Sequence, residues 1–154
     1  MELDATTVAA YLRHAFDQLL GVADRLGEPA MNARPLGPST NSVASLVLHG
    51  CGVTEFWLGH VALGEPTTRD RDAEFTRTAS LDELHHLVAT TLDRATSHVH
   101  RLEAGEGTDE GGREGRSLLA GGTSDASVVL HVLEELYQHL GHAELAADAL
   151  LPLR

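Results

Sequence analysis

Glu135 and His139 stand one helical turn apart in a stretch that otherwise reads as the buried side of a helix, VVLHVLEELYQHLGHAELA from Val128 to Ala146. At about 100° per residue, Val128, Val129, Val132, Leu133, Leu136, Leu140, Ala143 and Ala146 form one apolar arc. Glu135 and His139 lie on its edge, and His131 and His142 lie further round the same flank. A carboxylate and an imidazole facing a core need partners, because burying unpaired polar groups is costly. One divalent cation would satisfy both. Imidazole nitrogen and carboxylate oxygen bind Zn²⁺ at about 2.0–2.2 Å, and three protein ligands with one open position is the catalytic pattern for zinc. Two histidines and a carboxylate equally describe the facial triad of non-haem iron, so spacing leaves the metal open. It also leaves an ordinary alternative, since Glu-x-x-x-His is a favourable pair on any helix surface.

The third ligand is expected on an earlier helix, about Ser42 to Leu63, which ends at Gly64. Its inward arc carries Val43, Leu46, Gly50, Val53, Phe56, Trp57 and Val61, and His49 falls inside that arc in mid-helix. His60 shares the arc but lies near the helix end, where an imidazole bonds free carbonyls. Cys51, two residues from His49, points elsewhere and reads as a packing thiol.

These ligands require helices to position them. Ala5 to Leu26 repeats Val8, Leu12, Phe16, Leu19, Ala23 and Leu26 at helical spacing, and Gly27 with Pro29 stops it. His14 and Asp17 fall off that stripe and read as solvated. The connector Gly27 to Asn41 brings Met31 and Leu36 to the bundle end, and Ser39, Thr40 or Asn41 is expected to cap the second helix. The polar stretch Gly64 to Ala79 is long for a turn, and extended it would run the length of a helix, making helices two and three parallel neighbours. Arg69 and Arg71 lie in it and read as solvated. Ser80-Leu81-Asp82-Glu83 is a capping box that opens a third helix to about Ala104, with a stripe of Leu81, Leu84, Val88, Leu92, Ala95, Val99 and Leu102. His85, His86, His98 and His100 fall mostly off the stripe and are expected at the surface. Gly105 to Gly122 is glycine-rich and expected to be mobile, with Ser117-Leu118-Leu119-Ala120 docking locally. Thr123 or Ser124 then caps a last helix running to about Leu150, before Pro152. Four amphipathic helices without strand-like alternation predict an all-α four-helix bundle, one domain over residues 1–154.

Composition agrees. Apolar residues make up 42% and aromatics 4%, which suits helices packed through Leu, Val and Ala. Acidic residues number 23 against 11 basic ones, all Arg, for a formal charge of −12, a balance that opposes nucleic-acid and anionic-membrane binding. The lone Cys51 excludes an internal disulfide and suits a reducing compartment. The N-terminus has neither a basic start nor a long apolar run, so no signal peptide and a cytoplasmic location are expected.

SVASLVLHGCGVTEFWLGHVALGE on helix two and LHVLEELYQHLGHAELAADAL on helix four resemble the DinB-like superfamily. More narrowly, the chain is similar to the metal-binding domain of mycothiol-dependent maleylpyruvate isomerases and to the related mycothiol S-transferases. Many DinB-like proteins place His-x-x-x-His on the last helix; here Glu135 takes the first position, as in the mycothiol-linked branch. The resemblance implies up-down-down-up topology, with His49, Glu135 and His139 as metal ligands and His142 at the pocket rim. It covers only the N-terminal bundle of the isomerase, so thiol transfer is the activity it implies. The expected function is activation of a low-molecular-weight thiol such as mycothiol by a divalent cation, zinc first, with iron, nickel or manganese as alternatives. The thiolate would attack an electrophile, with His142 or His131 moving the proton. A second reading is a non-catalytic stress-response bundle that binds metal or a small ligand through the same residues. A homodimer through an outer helix face is compatible with either.

Overall fold

The computed structural model describes residues 3–35, 37–108, 116 and 119–151. Among them are five α-helices and no strand: α1 (Ala5–Leu26), α2 (Val43–Glu55), α3 (Arg71–Thr76), α4 (Leu81–Glu103) and α5 (Asp125–Leu150). The four long helices coincide with the apolar stripes. Phe16, Leu19, Leu46, Leu58, Leu84 and Leu136 are fully buried where these stripes meet. Each such side chain stabilises the fold by about 1.5–3 kcal/mol relative to exposure. Side-chain hydroxyls or carboxylates cap every long helix. Asp4 accepts from Thr7 N, Ser42 from Ser45 N, Ser80 from Glu83 N and Ser124 from Ser127 N. The α2 cap is therefore Ser42, not residues 39–41; the polar run reaches one residue further before the apolar pattern takes over. The Ser80 hydroxyl caps α4, but the Glu83 side chain pairs with Arg77 at 2.5 Å instead of reaching back.

Pair contacts set the helix directions. Ala5 N donates to Glu103 Oε1 at 2.9 Å, and Leu81 N donates to Glu28 Oε1 at 2.7 Å, so α1 and α4 run oppositely. Along α2 and into the segment after it, Glu55 meets Thr91 and Arg94, and Glu65 meets His98 and Arg101. The numbers rise together, so α2 and α4 run the same way. Against α5 they fall: His49 faces Glu135 and His139, while Trp57 faces His131. Arg25 and Glu144, near the C-termini of α1 and α5, pair at 2.6 Å.

α2 is the central element, and from Val43 to Cys51 every residue is buried. It packs on α1, α3, α4 and α5. Its chain continues as a π-helical segment, Phe56–Ala62, and ends at Gly64, whose φ of 71° favours glycine. The polar crossover is not a plain connector. It folds into α3, capped by Asp70 Oδ1 accepting from Ala73 N at 3.0 Å, with Asp72 and Glu74 in the first turn.

His98 departs from its expected surface position. It is 4% exposed on α4, where its Nε2 lies 3.2 Å from Glu65 Oε2 and its Nδ1 has no hydrogen-bond partner among the described residues. Burial pushes its imidazole below the ordinary histidine value, although Glu65 opposes that. Gly59 makes room for it, since a Cβ there would come within 3.1 Å of His98 Cε1. Arg116 is likewise buried. It donates to the Val61, Ala62, Thr108 and Thr123 carbonyls and pairs with Asp125 Oδ1 at 2.7 Å. It thereby ties the glycine-rich stretch to the end of the π segment. Of the expected docking over 117–120, Leu119 is buried; Ser117, Leu118 and the predicted seat of Leu36 lie outside the described residues. Among the described residues no helix is long and apolar enough to cross a membrane.

Candidate metal centre

His49 projects from mid-α2 toward α5, where Glu135 and His139 share one flank because they are one turn apart. The structure brings these three together, with one ligand atom from each lying within 4.8 Å of the others. His139 Nε2 is 3.3 Å from Glu135 Oε2, and His49 Nε2 is 3.8 Å from the same oxygen. The two imidazoles meet edge to face at 4.7 Å between centroids. Donors held tetrahedrally at about 2.1 Å from one zinc ion would be separated by roughly 3.4 Å. The donor set therefore fits a divalent cation in chemistry and in spacing. His49 is buried, while Glu135 and His139 have side-chain exposures of 29% and 20%, so the cluster opens to solvent on the α5 side.

Burial, and then the neighbouring His49, hold the His139 imidazole below its ordinary value, with Glu135 opposing. A neutral imidazole is the form that ligates metal. His142 lies exposed one turn beyond His139, close enough to contribute to that depression. His131 instead packs against the Trp57 ring at 4.5 Å. His60 hydrogen-bonds the Glu65 carbonyl through Nδ1 at 2.7 Å, and His14, His85, His86 and His100 are exposed.

Three residues at the cluster come from the crossover and were missed by pattern reading. Glu74 on α3 is 8% exposed and hydrogen-bonds His49 Nδ1 through Oε2 at 2.7 Å. Arg69 grips the same carboxylate, Nε to Oε1 at 2.6 Å and Nη2 to Oε2 at 2.8 Å. Phe75 packs its ring 4.5 Å from that of His49. The solvated reading thus fails for Arg69, because a buried carboxylate needs a cation. Arg71 is exposed and lies over the Phe75 ring. Burial pushes the Glu74 carboxyl up, but bonds from Arg69 and His49 outweigh it and hold the group below the ordinary carboxylate value. The available signal was Asp70-x-x-Ala73 followed by Glu74-Phe75, a capped helical turn ending in an acid and an aromatic.

A model of the family described as Mycothiol-S-transferase matches residues 7–150. The chain belongs to the mycothiol-S-transferase family. That match takes in all five helices but the first two residues of α1, and contains His49, Glu74, Glu135, His139 and His142. No curated protein and no solved structure matches the chain. One cavity, of about 520 Å³, is not at the histidine cluster. It lies between α2, the crossover and α4, and shares Glu74, Arg69 and Gly52 with the site's surroundings. Cys51 faces it, buried, its thiol pushed up to about 12 chiefly by burial. A thiol so held is protonated at neutral pH and no nucleophile.

Proposed function

We propose that this member of the mycothiol-S-transferase family is a metal-dependent enzyme. In this reading a low-molecular-weight thiol such as mycothiol attacks a small electrophile, with zinc as the preferred cation. The observation that carries it is the convergence of His49, Glu135 and His139 from two antiparallel helices. We take residues 1–154 as one domain, a four-helix bundle of up-down-down-up topology with α3 added on the crossover. The opposed and matched residue pairs along α1, α2, α4 and α5 support that topology.

A bound divalent cation lowers the pKa of a coordinated thiol and so raises its thiolate fraction. The chain's own residues do the rest. His49 and His139 present imidazole nitrogens and Glu135 an anionic oxygen. Phe75 and Trp57 place apolar rings against the histidines His49 and His131, limiting water at the reacting sulfur. His142, exposed at the rim, takes the thiol proton. With an epoxide, the sulfur–carbon bond forms as a carbon–oxygen bond breaks, and His142 returns the proton to the freed oxygen. The product is a thioether bearing a hydroxyl, and the histidine ends as it began. Incubation of metal-loaded protein with mycothiol and a chromogenic electrophile tests the reading. Turnover that a chelator abolishes and zinc restores is expected. Stoichiometric metal without turnover would refute the enzyme and favour a sequestration module.

A further inference from the structure

We infer that Glu74, braced by Arg69, is a positioning residue that fixes the tautomer and aim of His49 for the cation site. This rests on the metal-centre reading above.

An imidazole can direct only one nitrogen at a cation, and the bond made by the other nitrogen decides which. His49 Nε2 faces Glu135, and its Nδ1 lies 2.7 Å from Glu74 Oε2. Both Glu74 oxygens already accept from Arg69, so the carboxylate is locked as an acceptor. Arg69 Nη2 also lies 3.4 Å from Nδ1, but the carboxylate at 2.7 Å is the shorter contact and favours the hydrogen on Nδ1; in the neutral ring Nε2 is then bare and turned toward Glu135. The ring is held on a second side by Phe75, so α3 sets both its rotation and its tautomer.

The packing around Glu74 is built for this contact. A Cβ on Gly52 would lie 2.0 Å from Glu74 Oε1 and 3.2 Å from Arg69 Nε. Only a glycine in the turn after His49 lets the carboxylate and guanidinium lie so close to α2. An ion pair serving merely to fasten α3 has a comparison in the same segment. Arg77, just after α3, pairs with Glu83 of α4 at 2.5 Å, away from His49. Fastening alone predicts that both pairs matter equally. Positioning predicts that only Glu74 acts on His49.

Two measurements decide it. Imidazole nitrogen shifts of the metal-free protein are expected to show His49 as the Nδ1–H tautomer. In Glu74→Gln, which keeps the size but removes the charge, that preference is expected to be lost. Zinc affinity, read by competition with a chromophoric chelator, is expected to fall about 10–100-fold in Glu74→Gln, the usual cost of losing such a partner. Gly52→Ala, which displaces the carboxylate without touching a donor atom, is expected to lower affinity in the same direction. Arg77→Gln is expected to lower stability and leave affinity at the wild-type value. Wild-type tautomer and affinity in Glu74→Gln would overturn the inference, as would an equal loss of affinity in Arg77→Gln. A wild-type protein that takes up no zinc would remove the cation reading, while the nitrogen shifts would still decide whether Glu74 holds His49.

Discussion

Replacing His139 by Ala separates metal binding from folding. The Leu136, Val132 and Ala143 side chains that seat α5 in the core are 0% exposed and do not depend on His139. His139 keeps a fifth of its side chain in solvent, and its polar contact is Glu135 at 3.3 Å. Its loss also removes the crowding of two imidazoles at 4.7 Å. The metal-free variant should therefore unfold within about 1 kcal/mol of the metal-free parent, as substitutions outside the tight core do. Metal affinity should respond far more. Structural zinc sites contribute roughly 10–16 kcal/mol through four ligands, so one ligand carries on the order of 3 kcal/mol, roughly a hundredfold in Kd. Two of the three donor separations, 3.3 and 3.8 Å, are already near that of a tetrahedral zinc site. Urea unfolding of the metal-free forms gives the first quantity, and zinc competition against a chromophoric chelator gives the second. A His139→Ala protein that keeps stoichiometric zinc at parental affinity would refute the site. One that fails to fold without metal would refute the separation of site from core.

Other outcomes follow from particular contacts. His142→Ala should retain zinc and lose about 10²–10⁴-fold in transfer rate, the range for a general acid–base group, and metal analysis with kinetics on one preparation checks both. Arg116→Ala should destabilise the fold by roughly 3 kcal/mol, because it strands several carbonyls and Asp125, measurable as a lower urea midpoint at unchanged slope. Burial holds the folded His98 imidazole below the ordinary histidine value of about 6.5, so the unfolded chain binds its proton first. Its contribution is fully present above about pH 6.5 and is lost as pH falls through the depressed folded value. Glu65, also depressed, loses its contribution only below the ordinary glutamate value of about 4.3. The stability of His98→Gln should therefore change less than that of the parent between about pH 6.5 and the carboxylate range, in urea midpoints taken across that range. A parallel pH profile would contradict the assignment.

Helix content was legible in the sequence because periodicity reports a buried face wherever apolar residues recur at helical spacing. The stripes of α1, α4 and α5 lie in the core as the pattern implies. Glu135 and His139 stood out for the same reason, since two polar residues on the edge of an apolar arc ask for a partner. Their meeting with His49 depended on the register of α2 against α5, which no local pattern carries. The sequence was weakest where polarity was taken for exposure. Glu74, Arg69 and Arg116 are charged, and His98 is polar; all lie in segments or on faces that read as solvent-facing, yet Glu74, Arg116 and His98 are buried against partners distant in sequence, and Arg69 is drawn in by the buried Glu74. Composition and spacing determined that this chain makes helices carrying a histidine–carboxylate set. The tertiary structure decided which nitrogen of His49 faces that set, because the choice is made by a carboxylate 25 residues away on a helix only six residues long.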